Sequence, residues 1–313
     1  MAAGGITRVF PDLTEDLLLN LFHKGAQAQW TSRDLDWKIP TSLSPRQRLA
    51  LARLLTPVYF GEQTAMAGAS SILPSVMAAG ETTAQLYLAS FIMDEARHFE
   101  ALTQLYRTLG HDPLGIRDMP ELLRYYHRLR QGDRVDWVWG ILISDIIGKH
   151  FYRGLGPNQA APDPLFGGLS TRILRDESRH LAFAEHYLKR NFASLVPERR
   201  QALVEMRDDL FRMLASMTER VRADVEAFDV EVDDFLGGVW TDIETVGKRI
   251  GLTGDVRDGS NGPPRNGHSV AVKAVPLPVS AAPQDAGAGD DNIVARCFGC
   301  LLSLICSQRL ATT

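Results

Sequence analysis

The five-residue pattern Asp-Glu-x-Arg-His occurs twice in this chain, each time within a long stretch that has the composition of a helix. The first copy runs from Asp94 to His98 and the second from Asp176 to His180. In each copy Glu and His are three residues apart, so on a helix both side chains project from the same face. A carboxylate and an imidazole placed in this way can bind one metal ion. Two such helices that face each other would provide two halves of one site.

The pattern of apolar residues predicts an all-α fold. Residues 12 to 250 have helical periodicity, and no convincing run alternates as a strand does. Long helices are expected at about 44–79, 81–109, 133–155 and 163–190, the first of them with a kink at Pro74. Further helices are expected at about 14–30, 119–130, 197–228 and 232–250. Four long helices with one longer connection in the middle favour a four-helix bundle with a crossover and extra helices at both ends.

The two long helices that lack the doubled motif each carry one acid in an apolar setting. Glu62 is the only acid in residues 54–79, and Asp145 lies in the apolar run of residues 141–147. A buried acid is destabilising unless it is paired or bound to a metal. Bundles that combine Glu-x-x-His from two helices with single carboxylates from the other two can bind a pair of metal ions. The candidate ligands are Glu62, Glu95, His98, Asp145, Glu177 and His180.

A single Glu-x-x-His is common on solvated helices, and a doubled one can also belong to a lattice of structural ion pairs. Two copies, each preceded by Asp, favour the metal site. A metal-bound histidine usually donates its other N–H to a carboxylate. We therefore expect Asp94 to contact His180, and Asp176 to contact His98, across the bundle. Two further residues of the motif, Arg97 and Arg179, could neutralise these aspartates, with an ordinary surface or structural ion pair as the alternative.

Composition and charge exclude some classes of function. The chain has 313 residues, of which 45% are hydrophobic, enough for one substantial core. Its net charge is −4, with acids and bases interspersed, so the clustered basic face of a nucleic-acid-binding protein is missing from the sequence. The beginning of the chain lacks the basic and apolar segments of a signal peptide, and the body lacks cysteine. These features favour a cytoplasmic protein.

The composition changes after the last expected helix. The predicted boundaries are 12–250 for the helical domain, 251–292 for a disordered linker rich in Gly, Pro, Ala, Ser and Asp, and 293–313 for a short apolar tail. The tail is too short to span a bilayer. Its three cysteines are Cys297, Cys300 and Cys306. Half of a zinc site, S-acylation and a poorly ordered tail remain alternatives for them.

On these residues the chain resembles the ferritin-like dinuclear-metal superfamily, and within it the ribonucleotide reductase small-subunit group and its related ligand-binding oxidases. The resemblance covers residues 15 to 230. It includes the entry segment from Leu18 to Trp37, and Phe60-Gly61-Glu62 at its distance before Glu95. The doubled motif is also the signature of the soluble multicomponent monooxygenase hydroxylases, whose catalytic subunits are much longer. The resemblance implies that the six candidate ligands hold two metal ions per chain, Fe/Fe or Mn/Fe, in a homodimer.

Three departures from the resembling families affect the expected chemistry. The ligand from the third long helix is usually Glu, whereas this chain has Asp145. Radical-generating subunits carry a tyrosine four residues after the first histidine, where this chain has Leu102. The ligand-binding oxidases can form a valine–tyrosine ether, and the corresponding positions are Ala65 and Gly140. We therefore expect neither radical storage at that position nor the ether crosslink.

The resemblance implies an oxidase or oxygenase that activates O2 to oxidise an apolar organic substrate by hydroxylation, desaturation or N-oxygenation. Such an enzyme needs an electron donor, a reductase or a ferredoxin. An apolar wall would protect the reactive centre and hold the substrate. The candidates for this wall are Tyr59, Met66, Phe91, Trp139, Ile143 and Phe183. Nearby small residues either leave a cavity or allow close helix contacts: Ala65, Gly68, Ala69 and Gly140.

Three other functions remain open at this point. A ferritin-like protein would oxidise and handle iron without an organic substrate, but ferritins are generally shorter and lack the entry segment. A radical-generating ribonucleotide reductase-type small subunit needs a large partner and a nearby tyrosine. A degenerate scaffold would have an empty site, against which the six candidate ligands argue.

Overall fold

The computed structural model describes residue 13, residues 15–156 and residues 163–252. Within these residues the chain forms ten α-helices and one short 3-10 helix, with no strand, which confirms the predicted all-α class. No helix in these ranges is both long and apolar enough to cross a bilayer. The predicted linker from residue 253 onward and the tail with its three cysteines lie outside the described residues.

The helices largely follow the predicted order. Their bounds are Asp16–Gln27 (α1), Pro45–Leu54 (α2), Thr56–Ala78 (α3), Thr82–Leu109 (α4), Pro120–Leu129 (α5), Arg134–Leu155 (α6), Pro164–Phe192 (α7), Pro197–Arg220 (α8), Arg222–Glu226 (α9) and Val232–Ile250 (α10), and the 3-10 helix is Ser32–Asp34.

Four of these helices form the bundle. Helix α3 packs on α4, α6 packs on α7, and the two pairs meet through the contacts α3–α6 and α4–α7. Helix α5 lies in the longer connection between α4 and α6, where the crossover was predicted, and it packs on α8. Helix α1 covers α4 and α7 from one side, and α10 covers α6, α7 and α8 from the other.

One long helix predicted from the sequence is in fact two. The expected helix at 44–79 is interrupted at Leu55, and α3 begins at Thr56. Pro57 accounts for this break, because proline has no N–H to donate to the preceding turn. The chain stays helical through Pro74, where the kink was expected. The expected helix at 197–228 is likewise divided at Val221.

Caps set where the bundle helices begin and end. Asp133 accepts a hydrogen bond from the backbone N–H of Val135 at 2.8 Å and starts α6 with a capping box. Asp163 accepts one from Phe166 at 2.9 Å and starts α7. Helix α4 ends at Gly110, whose φ of 72° lies in the left-handed region that glycine adopts without strain. These boundaries fix the register of the helices that carry the candidate ligands.

Two of the small residues singled out in the sequence are close helix contacts. A Cβ atom at Gly68 would overlap the indole of Trp137, which brings α3 and α6 together. A Cβ atom at Gly140 would overlap Leu129 and lie 2.7 Å from Met206 Cε. For these two positions the alternative of close packing is therefore the correct one.

The close packing at Gly68 predicts a large difference between two Gly→Ala variants. Gly68→Ala should lower the free energy of unfolding by about 1–3 kcal/mol, because the core has no space for the methyl group. Gly237→Ala, within α10, should change it little or raise it by about 0.5–1 kcal/mol, because a Cβ atom there meets nothing within 4 Å. Urea unfolding of both variants tests this, and equal stabilities would contradict the packing described for α3 and α6.

Candidate metal centre

The bundle brings all six candidate ligands into one buried cluster. Helix α3 contributes Glu62, α4 contributes Glu95 and His98, α6 contributes Asp145, and α7 contributes Glu177 and His180. Their exposed fractions lie between 0% and 8%. Because these residues come from four helices, the cluster depends on the assembled bundle and on no single segment.

The cluster divides into two overlapping groups that could each hold a metal ion. One group contains Glu62, Glu95, His98 and Glu177, and the other contains Asp145, Glu177 and His180; within each group one ligand atom from every residue lies within 4.8 Å of the others. The Nδ1 atom of His98 lies 3.6 Å from Glu177 Oε1, and the Nδ1 atom of His180 lies 3.3 Å from Glu177 Oε2. Glu177 therefore belongs to both groups, as a carboxylate shared by two ions would.

Four atoms of the candidate ligands are buried without a hydrogen-bond partner in the described residues. They are Nδ1 of His98, Nδ1 of His180, Oδ2 of Asp145 and Oε2 of Glu177. Buried polar atoms are nearly always paired, and an unpaired one is destabilising by about 1–3 kcal/mol. Oxygen and imidazole nitrogen are ligands for first-row transition metals. The donor set therefore fits a pair of metal ions.

Two aspartates orient the histidines. The Nε2 atom of His98 lies 3.3 Å from Asp176 Oδ2, and the Nε2 atom of His180 lies 3.3 Å from Asp94 Oδ2. These are the two contacts expected from the sequence. When Nε2–H donates to a carboxylate, Nδ1 is the ring nitrogen that can bind a metal ion. Both Nδ1 atoms face carboxylates of the cluster.

The two arginines of the doubled motif join the aspartates to each other. Arg179 Nη2 donates to Asp94 Oδ2 at 2.8 Å and to Asp176 Oδ1 at 2.9 Å. Arg97 also contacts both aspartates, Asp94 closely and Asp176 Oδ2 at 3.3 Å. All four side chains are buried, so these contacts are internal ion pairs that link α4 to α7. The alternative of a surface ion pair is excluded for both arginines.

Trp30 is a member of this network that motif spacing did not find. Its indole N–H donates to Asp176 Oδ2 at 2.6 Å, and its ring stacks 6.1 Å from the ring of His98. The guanidinium of Arg97 lies 5.8 Å from the same indole. Trp30 lies outside any helix and 146 residues before its partner, so only the resemblance of the entry segment pointed to it.

The carboxylates of the cluster repel one another, and this repulsion helps to raise the pKa of two of them. Burial and the nearby Glu62 carboxylate raise the pKa of Glu95 well above its usual value. Burial and the charge of Glu177 do the same for Asp145. Burial lowers the pKa of His98, but the charge of Glu62 and the hydrogen bond to Asp176 outweigh it and raise this pKa to about 9. Protons and cations are alternative ways to neutralise such a cluster.

A cavity of about 110 Å³ lies beside the cluster and is lined by four of its carboxylate residues, Glu62, Glu95, Asp145 and Glu177. The rest of its wall is mostly apolar and includes Val58, Ala65, Leu129, Ile141, Leu214 and Met217. The wall residues Leu214 and Met217 come from α8, outside the four-helix bundle. Sequence reasoning considered only bundle residues and missed them.

The wall residues expected from the sequence do not line this cavity, with the exception of Ala65 among the small ones. None of the expected set lines the cavity: Tyr59, Met66, Phe91, Trp139, Ile143 and Phe183. Phe91 packs 4.4 Å from the ring of His180, and Phe183 stacks 4.2 Å from Tyr87. Trp139 donates to the carbonyl of Leu203 at 3.0 Å.

A second cavity of about 90 Å³ adjoins the first. The two cavities share five lining residues: Pro57, Val58, Ile147, Leu214 and Met217. The second cavity is lined mainly by apolar residues, including Phe151, Leu155 and Phe235. Together the two cavities form an elongated apolar region that begins at the cluster.

Solved structures with the same fold are found among the R2-like ligand-binding oxidases. One with an aerobically reconstituted Mn/Fe cofactor matches with a TM-score of 0.63 and 17% sequence identity, over 76% of this chain and 94% of that chain. Another without metal cofactor matches with a TM-score of 0.60 and 17% identity, over 75% of this chain and 97% of that chain. This chain has the fold of those oxidases. No family model matches the chain, and no curated protein matches its sequence.

The structure shows the surroundings of the positions at which this chain departs from the resembling families. Leu102 is fully buried on α4, at the position where radical-generating subunits carry tyrosine. Ala65 lines the cavity, and Gly140 has no side chain and no space for one. The valine–tyrosine ether therefore has neither of its partners at these positions. Asp145 reaches the cluster although it is one methylene shorter than Glu.

The Asp176–His98 contact predicts that Asp176→Asn weakens metal binding by roughly 10- to 100-fold, because the carboxylate that orients the ligand is lost. Asp242→Asn is a matched control, since Asp242 Oδ2 accepts from His150 Nε2 at 3.0 Å outside the cluster. Anaerobic titration with Mn(II) and Fe(II) measures both affinities. Equal affinities in the two variants would contradict the orienting role of Asp176.

Proposed function

We propose that the protein is a dinuclear non-haem metal oxidase or oxygenase, with Fe/Fe or Mn/Fe, that uses O2 to oxidise an apolar organic substrate. The reaction is a hydroxylation, a desaturation or an N-oxygenation. One observation carries the proposal: the buried cluster of four carboxylates and two histidines borders an apolar cavity. A site that only holds metal ions has no need of such a cavity.

The six clustered side chains would hold two metal ions: Glu62, Glu95, His98, Asp145, Glu177 and His180. Four carboxylates and two neutral histidines carry a formal charge that two divalent ions would balance. When bound, a pair of adjacent redox-active metal ions supplies electrons to dioxygen. Iron and manganese both accept oxygen and nitrogen ligands, so this donor set suits Fe/Fe and Mn/Fe alike. The Mn/Fe cofactor of a structural neighbour supports this choice of metals.

Residues of this chain have three separate tasks in the proposed reaction. Asp94 and Asp176 hold the histidine rings so that Nδ1 faces the cluster. Apolar residues such as Ile141 and Leu214 exclude water and bind the substrate beside the carboxylates. Glu177, which both ligand groups contain, would keep the two ions adjacent.

The partners in this proposal follow from the chemistry. Reduction of dioxygen to water takes more electrons than hydroxylation of a substrate provides, so a reductase or ferredoxin is the expected donor. Assembly as a homodimer, a cytoplasmic location and a catalytic unit at residues 12–250 stay predictions. Truncation near Asp255 should leave metal binding intact, because every candidate ligand lies before that residue.

A ferritin-like iron-oxidising protein is the competing function, and a cavity-filling variant separates the two. Gly148 lines the cavity, and a Cβ atom there meets nothing within 4 Å, so Gly148→Leu should fill space that a substrate needs. We expect oxygen uptake stimulated by apolar probes (alkanes, alkylbenzenes and arylamines) to fall at least about 10-fold, the effect of losing well-packed substrate contacts. Metal content and substrate-free Fe(II) oxidation should persist.

The matched control is Gly237→Leu, the same substitution in α10 with open space around the Cβ atom. It should keep both activities. If no probe raises oxygen uptake in the parent protein while Fe(II) oxidation proceeds, the oxygenase proposal is wrong and iron handling is favoured. If Gly148→Leu loses both activities together, the cavity has no separate role in substrate binding.

A further inference from the structure

Tyr152 is a buried tyrosine in the cavity wall whose hydroxyl has no hydrogen-bond partner in the described residues. Its exposed fraction is 1%. It lies on α6 seven residues after Asp145, about two helical turns, so both side chains are on the same side of the helix. The ring is held by Phe151 and Phe166, whose centroids lie 5.3 and 6.4 Å away.

The other hydroxyl groups of this cavity wall are all paired. Their contacts are Tyr125 with Ser144 Oγ at 3.0 Å, Ser144 with the Gly140 carbonyl at 3.0 Å, Tyr126 with the Pro57 carbonyl at 2.7 Å, and Thr64 with the Phe60 carbonyl at 2.9 Å. Among the described lining residues, Tyr152 is the one hydroxyl that remains available. A donor of this kind in an apolar wall gives orientation to a bound molecule.

We propose that Tyr152 is a positioning residue that donates a hydrogen bond to a neutral oxygen of the substrate. The phenol is protonated at neutral pH and can donate. The acceptor should be neutral because no described residue lining this cavity is cationic, and an unpaired buried charge is strongly destabilising. The expected substrate is thus mostly apolar with one ketone, ester, ether or alcohol oxygen.

The two adjoining cavities place the rest of such a molecule. With its oxygen at Tyr152, the apolar part can extend past Ile147 and Met217 into the second cavity, because both residues line both spaces. This inference rests on the proposed function for the identity of the reaction, but the binding contact can be tested without turnover.

The test compares two ligands that differ in one group. Acetophenone and cumene share a phenyl ring, and the carbonyl oxygen of the first is a methyl group in the second. Both are titrated by calorimetry into the full-length, metal-loaded protein without oxygen, and then into metal-free protein. Tyr152→Phe should weaken acetophenone binding roughly 3- to 10-fold, the range for one neutral hydrogen bond, and change cumene binding by less than about 2-fold.

Tyr126→Phe is the matched control in the same cavity. Its hydroxyl already donates to the Pro57 carbonyl, so its loss should leave the preference between the two ligands unchanged. Urea unfolding provides a second readout. Tyr152→Phe should be at least as stable as the parent, because no protein partner loses a hydrogen bond, whereas Tyr126→Phe should be less stable.

Three outcomes would overturn the assignment of Tyr152. These are equal losses for both ligands, an unchanged affinity for acetophenone, and no binding of either ligand to the parent protein. Loss of metal with unchanged ligand preference would assign the hydroxyl to the metal site instead. Failure of the proposed function is a separate result. If the parent protein takes up no metal but still shows the Tyr152-dependent preference, the oxidase proposal is wrong and the ligand site at Tyr152 is retained.

Discussion

The reciprocal contacts between α4 and α7 are the constraint on which the rest of the site depends. Asp94 accepts from His180 on the other helix, Asp176 accepts from His98, and Arg179 bridges the two aspartates. A buried charge is tolerated only when it is paired, so this lattice forms as a whole or is strongly destabilising. Once formed, it fixes both imidazole rings with Nε2 at an aspartate and Nδ1 facing carboxylates of the cluster. The doubled motif is thus explained by mutual support: each copy supplies the ligands of one half and orients the histidine of the other.

No residue of this lattice lines the cavity, which borders the carboxylates of the cluster instead. The histidines fill the space between α4 and α7, whereas the carboxylates of Glu62 and Asp145 face the wall that α5 and α8 complete. Gly68 allows α3 to pack closely against Trp137 of α6, whereas the small residues Ala65 and Gly148 leave space at the cavity. The arrangement places polar groups on one side of an apolar region, as the proposed function requires.

Local patterns predicted the helices and the two Glu-x-x-His pairs of the cluster, because these depend on short-range spacing. Glu95 and His98 share a helix face whatever the rest of the chain does, and Asp133 and Asp163 mark helix starts by their own hydrogen bonds. The helix break at Leu55 was not predicted, because the apolar periodicity of residues 49–59 continues across Pro57. Trp30 and the cavity residues of α8 could not be predicted, because their roles depend on long-range packing. The wall residues expected from the bundle alone do not line the cavity, because α5 and α8 complete its wall.

The measurement that tests the central claim most directly is the metal content per chain of protein expressed with both iron and manganese, beside Glu95→Ala, Glu177→Ala and the control Glu121→Gln. Glu121 is a buried acid that pairs with Arg220 at 2.8 Å, outside the cluster. The account predicts about two metal ions in the parent and in Glu121→Gln, and a loss of metal in the other two variants. A well-folded parent with little or no metal would contradict it, and the doubled motif would then be a lattice of structural ion pairs.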